Sequence, residues 1–230
     1  MNKHMDVKTV VLIGRTFDEY YKMFNLDNEL LKNEIFLDAA SGVSSFCAEA
    51  NAKGFNVTAS DKIYCLHPDE IETKCEQDLD SVMQQMPAIA DIYLWDFFKD
   101  IQSLKANREK AYRSFLEDFK KYGIKRYKPV EYPITDFRDE QFTVSLVSHL
   151  LFLYEDKLDY DFHKKTIQEL LRVSSREIRI FPVVNFKGIR SGYIELLVRD
   201  QGFRNLKISI KRVGYEFMKN ANEMMIIKRK

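Results

Sequence analysis

The run Ile35-Phe36-Leu37-Asp38-Ala39-Ala40-Ser41-Gly42-Val43-Ser44-Ser45-Phe46 constrains this chain more than any other feature. A short apolar run ends on an acid, passes through a loop of small residues and enters a helical pattern. A second apolar run, Phe55 to Asp61, also ends on an acid. This order predicts a βαβ unit with carboxylates at the tips of two successive strands. Small loop residues let the backbone approach a ligand closely. The second acid, Asp61, suits the two hydroxyls of a ribose. The unit therefore predicts a nucleoside-containing cofactor.

Which nucleoside follows from charge. The dinucleotide fingerprint G-x-G-x-x-G falls on Ala40, Gly42 and Ser45, so a single glycine remains. Asp38 directly before the loop would repel a pyrophosphate but suits a cationic ligand, directly or through water. S-adenosylmethionine carries a ribose, an ammonium and a sulfonium, and no phosphate. At these residues the chain resembles the class I S-adenosylmethionine-dependent methyltransferases, whose first motif is a strand, an acid and a G-x-G-x-G loop. Asp38, Ala40, Gly42 and Ser44 stand at those positions, with alanine and serine for two of the glycines. Phe137 to Val144 resembles that family's P-F-x-D-x-x-F-D stretch, without its proline and second aspartate. Gly14 to Tyr20, Ser44 to Phe46, Ser148 to Tyr154 and Tyr215 to Phe217 resemble a little-characterised bacterial branch of the same proteins.

Periodicity supplies the remaining elements. Helix is expected over 16–32, 43–53, 161–173 and 194–200. Strands are expected over 35–38, 55–60, 126–131, 142–147, 177–184, 206–213 and 223–228. Pro129 marks 126–131 as an edge strand. The last two strands, joined near Lys219-Asn220, should be antiparallel. The resemblance implies a Rossmann-like methyltransferase sheet, mostly parallel with an antiparallel C-terminal strand, in a single domain over 1–230. Residues 66–125 exceed what a crossover needs, and their apolar spacing predicts a helical insert. It is expected to pack over the strand ends as a lid, or to buttress the sheet edge.

Composition excludes several classes. The net charge of +1 sets up no global attraction to nucleic acid or anionic lipid. Cys47, Cys65 and Cys75 form no C-x-x-C pair, which reads as reduced thiols. His4, His67 and His163 have no ligand spacing, so no metal is expected. The chain shows no leader pattern and no membrane span, so a cytoplasmic protein is expected, as monomer or homodimer.

Candidate site residues follow. Asp61 is expected on the ribose, with Lys62, Ile63 and Tyr64 flanking the adenosine and Ile63 packing on the purine. Glu131 or Asp136 is expected near the adenine amino group. The resemblance places Arg15 and Tyr20 at the methionine end, Arg15 against its carboxylate. Ser148 and His149 follow the fourth strand, where ligands bind in open α/β sheets. His149 is a candidate general base, although methyl transfer to a good nucleophile needs mainly positioning. Within the insert, 66–100 carries nine acids and two bases, and 105–128 nine bases and three acids. Such faces pair with each other, or meet an anionic substrate. The expected activity is methyl transfer to a small molecule. The alternatives are an RNA or protein acceptor, or a non-catalytic binding protein on the same fold.

Overall fold

In the computed structural model, residues 4–6 and 9–230 are described. Seven strands form one sheet in the order β3-β2-β1-β4-β5-β7-β6. They are β1 (Ile35–Ala39), β2 (Asn56–Asp61), β3 (Tyr127–Pro129), β4 (Phe142–Ser148), β5 (Ser174–Phe181), β6 (Leu206–Arg212) and β7 (Glu223–Arg229). The first five run parallel, and β7 pairs antiparallel with both β5 and β6. This is the Rossmann-like, mostly parallel sheet expected from the sequence. The short β3, which ends on Pro129, is an edge strand. An edge tolerates a residue that cannot donate to the ladder.

Alternation along the strands divides the core between two faces. Phe36, Leu146 and Ile226 face one helical layer; Leu37, Val147 and Ile227 face the other. On the first face lie α1 (Phe17–Met23), α2 (Asn28–Asn33) and α3 (Phe46–Ala52). On the second lie α6 (Tyr160–Val173) and α7 (Tyr193–Arg199). Phe142 and Val144 differ by two residues yet join opposite faces. The register of β4 against β5 shifts between them, and such a bulge resets the alternation.

The helix expected over 16–32 is two helices. Asn25 adopts φ +46°, and Asp27 caps α2 by accepting from Leu30 N at 2.7 Å. A left-handed residue followed by a new cap ends one helix and starts the next. The 43–45 segment forms the turn before α3 rather than its first residues. The strand expected over 177–184 starts and ends three residues earlier, because Pro182 closes it.

The insert forms two long helices, α4 (Pro68–Ile89) and α5 (Ile101–Tyr122). On α4 the buried stripe is Ile71, Cys75, Leu79, Val82, Met86 and Ile89, a helical repeat of three and four. The lower half of α5 packs Tyr112, Phe115, Leu116 and Phe119 onto the first sheet face, with Tyr64 and Tyr127. The upper halves form a third cluster, with Val82, Met86, Phe98 and Leu104 against Leu153 and Tyr154 of the loop after β4. The 93–98 aromatics meet the loop between β6 and β7. Tyr93 stacks on Phe217, and Leu94 N donates to Phe217 O at 2.7 Å. Basic α5 faces acidic α4 through Lys105–Asp80, Arg113–Glu72 and Lys120–Asp69, so these charges largely pair with each other.

Candidate functional site

The strand order reverses between β1 and β4, since the chain leaves β1 towards β2 on one side and meets β4 on the other. Loops after these two strands diverge there, leaving a crevice outside their C-terminal ends. A cavity of about 240 Å³ lies at that crevice. Its wall includes Arg15, Tyr20, Ala40 to Ser44, Asp61 to Ile63, and Ser148 to Leu150.

Asp38 is fully buried at the end of β1. Its Oδ1 accepts from the Tyr20 hydroxyl at 3.0 Å and its Oδ2 from the Ser41 hydroxyl at 2.5 Å. Burial pushes the carboxyl up from 3.8 to about 7, against the lowering effect of those two donors; nearby Asp61 adds to the rise. A cation placed beside it would restore the charged form.

Asp61, at the end of β2, holds the loop. Its Oδ2 accepts from Gly42 N at 2.9 Å and its Oδ1 from Ile63 N at 3.1 Å. Burial raises its pKa, and those N–H groups oppose the rise. Each oxygen keeps a lone pair for a hydroxyl donor. Ala40 at φ +51° and Gly42 at φ +56° make the loop turn tightly between the two acids. A Cβ at Gly42 would meet only Leu12 Cδ2, at 4.0 Å, so the loop backbone is open for close approach.

Ser44 Oγ donates to Arg15 O at 2.9 Å, which joins the loop to the start of α1. Ser45 and Tyr64 do not line the cavity. Ser45 Oγ donates to Glu49 Oε1 at 2.5 Å inside the packing of α3. Tyr64 is in the core and donates to Gly42 O at 2.8 Å, a brace beneath the loop rather than a flank for a base. The short run after β2 turns as a 3-10 helix, which sends Tyr64 inward while Lys62 stays exposed. Lys62 and Ile63 also line a shallower recess with Leu66, Val130 and Glu131. Glu131 pairs with Lys62 at 3.6 Å; Asp136 is exposed and lines neither space.

His149 follows β4 at φ +56°, with Nδ1 2.8 Å from Ser148 Oγ. Burial first, then Arg15 and Arg108, hold its pKa well below 6.5. The imidazole is neutral at physiological pH.

Glu19, Arg108 and Tyr215 were not singled out by the sequence, and they form a buried cluster behind Arg15. Glu19 Oε1 accepts from Arg108 Nη1 at 2.8 Å and from the Tyr215 hydroxyl at 2.8 Å. Its Oε2 accepts from Thr16 N at 2.9 Å and Arg108 Nη1 at 2.7 Å. Glu19 and Tyr215 fall within stretches that carry the resemblance, and Thr16-x-x-Glu19 is a capping box, but neither signal gave them a role at the site. Arg15 Nε lies 3.8 Å from Glu19 and is a buried donor without a hydrogen-bond acceptor.

Among the described residues no group of three or more His, Cys, Asp and Glu side chains could hold a metal ion. His163 donates from Nδ1 to Asp159 O at 2.7 Å and accepts at Nε2 from Phe152 N at 2.9 Å, as a core residue. No helix among them is long and apolar enough to cross a membrane.

Fold and site together define a Rossmann-like α/β protein with a cavity at the switch point of its sheet, where one strand-tip acid, Asp61, lines the wall and the other, Asp38, is buried behind Tyr20 and Ser41. The chain belongs to the same family as the uncharacterized protein MJ0045 of Methanocaldococcus jannaschii, with 47% identity over 228 residues, 99% of this chain and all of that one. That relative is archaeal, so placement in a bacterial branch is not supported. No family model matches the chain. Among solved structures it is similar to the magnesium protoporphyrin IX methyltransferase of Synechocystis PCC 6803 with bound SAM. There the identity is 11%, over 88% of this chain and 73% of that one, with a TM-score of 0.45. It is also similar to a SAM dependent methyltransferase from Aquifex aeolicus (14% identity, 92% of each chain, TM-score 0.43). A third is an rRNA methylase from Streptococcus thermophilus (12% identity, 87% of this chain and 91% of that one, TM-score 0.42). At such identities these likenesses leave open what this chain acts on.

Proposed function

We propose that this protein is an S-adenosylmethionine-dependent methyltransferase acting on a small molecule. The observation that carries the reading is the pair of strand-tip carboxylates about the Ala40–Ser44 loop, half-buried Asp61 on the cavity wall and Asp38 buried behind the wall residues Tyr20 and Ser41. Asp38 lies behind Tyr20 and Ser41, and from there its charge attracts the ammonium. Asp61 accepts from the ribose hydroxyls while fixing the loop through Gly42. Arg15, whose buried Nε makes no hydrogen bond, takes the carboxylate. Ile63 packs on the purine in the recess shared with Val130. Bound there, the cofactor supplies an activated methyl group; the chain positions it and excludes water.

The insert supports a small acceptor. Val82, Met83, Met86, Leu104 and Arg108 line the same cavity as the cofactor loop, so these helices act as its lid. The lower half of α5 is the buttress, and the two alternatives divide one insert between them. His149 stays neutral and is a weak base, so it orients rather than deprotonates the acceptor. Calorimetry tests the reading: S-adenosylmethionine and S-adenosylhomocysteine should both bind and raise the melting temperature, and NAD should do neither. Absence of heat and melting shift with both would refute it.

A further inference from the structure

The cavity wall is unequal in charge. Among the described residues its cations are Arg15, Lys62, Lys74 and Arg108, and its single acid is Asp61. Lys74 pairs with Asp78 and Lys62 with Glu131, while Arg15 and Asp61 are assigned above to the cofactor. Arg108 remains, at the boundary between two halves of the cavity. Leu104, one turn earlier on α5, faces the apolar half with Met83, Met86, Leu153 and Phe217. On its other side lie Arg15 and His149, whose ring feels both guanidiniums.

The hydrogen bonds that Arg108 makes to described residues all leave from Nη1, towards Glu19, Gly14 O and Asn107. Glu19 is meanwhile saturated by Arg108, Tyr215 and Thr16. One carboxylate thus serves as the buried anion for two arginines. Arg108 lies on the cavity wall, and a guanidinium there can receive an oxyanion. Tyr93 also lines this wall, within the field of both arginines. A cationic amine would find no carboxylate in the apolar half and would meet two guanidiniums.

We propose, resting on the cofactor reading above, that the methyl acceptor is a small apolar acid, a phenol or a carboxylic acid. It binds as its oxyanion beside Arg108, with its hydrocarbon body among Met83, Met86, Leu104 and Phe217, and is methylated on that oxygen. The acceptor gives its proton to solvent on binding. Its oxygen then forms a bond to the methyl carbon as the carbon–sulfur bond breaks. The electron pair of that bond stays on sulfur, which becomes a neutral thioether, and the acceptor becomes a neutral ether or ester. No general base is required, which fits a neutral His149.

The test uses ring-matched probes on protein already loaded with S-adenosylhomocysteine, whose binding is measured first. The probes are 2-naphthoate, 2-naphthol and 2-naphthylmethylamine. The naphthoate should bind at least about tenfold tighter than the amine at pH 7.5, and absorbance should show the bound naphthol ionising about one unit or more below its free value. Arg108→Met should weaken naphthoate binding by roughly tenfold or more. Should that variant fail to fold, the comparison of probes on the unmodified protein decides alone. Labelled methyl released by mild base marks an ester and retained label an ether, which separates the two kinds of acid. Equal or tighter binding of the amine, an unshifted naphthol, or no probe binding to loaded protein overturns the proposal and leaves the cofactor reading standing. Failure of S-adenosylhomocysteine to bind overturns both.

Discussion

Asp38 gives the sharpest prediction, because its protonation should be tied to cofactor binding. Buried and facing no cation, its carboxyl sits at about 7 instead of 3.8. A folded pKa raised above the unfolded one means the folded protein holds the extra proton. That stabilising share is full below about pH 4 and is lost as pH rises through 7, about 4 kcal/mol over roughly three units. A bound ammonium reverses the preference and expels the proton. At pH 6 about 0.9 proton should leave per cofactor bound, and at pH 8 about 0.1, for a group titrating near 7. Affinity should therefore rise roughly tenfold per unit up to pH 7 and then level off. Titration calorimetry in buffers of different ionisation enthalpy reads the released proton directly. Asp61 is also raised, so Asp38→Asn is the control. It should remove most of the proton release and flatten the profile between pH 5.5 and 7.5. Heats at pH 6 that do not depend on the buffer would refute the placement of a cation at Asp38.

Three further outcomes are expected. Asp61→Ala removes the acceptor for Gly42 N and Ile63 N as well as the ribose contact. Cofactor affinity should drop about tenfold to a hundredfold in a protein that still folds, and unchanged affinity would place the ribose elsewhere. Glu19→Gln leaves Arg108 without its buried anion, which should cost about 3–5 kcal/mol. Calorimetric melting should then fall by roughly 6 to 20 °C, and a fall within error would mean the pair is not structural. Hydrogen exchange within 90–115 should slow when cofactor binds, as a lid requires; protection confined to 38–64 would reduce the insert to a buttress.

Much of the frame was legible locally. The continuous apolar runs of β1, β4 and β7 follow from burial on both faces and the stripes of α4 and α5 from burial of one, which any short window of sequence records. Boundaries were less legible where a single dihedral decided them. The break between α1 and α2 turns on Asn25 in a left-handed conformation, and no apolar spacing signals that. Tyr64 was misplaced for a similar reason: a 3-10 turn after β2, rather than an extended run, decides which neighbour of Asp61 faces inward.

By itself the sequence determined the parallel sheet with its antiparallel C-terminal pair and the acids at the tips of β1 and β2. It also determined the existence of a long apolar insert. The acids and the insert rest on apolar runs and spacing within a few dozen residues, and the mostly parallel sheet on the family resemblance that those motifs carry. Only the tertiary structure decided the electrostatics of the cavity. Arg108 and Tyr215 lie 89 and 196 residues from Glu19 in the chain, yet share its buried carboxylate. The insert likewise packs in two places, its lower half against β3 and its upper half against the loops after β4 and β6. A buried charge takes its meaning from the groups that replace its water. Those groups come from distant parts of the chain, and a one-dimensional pattern does not record them.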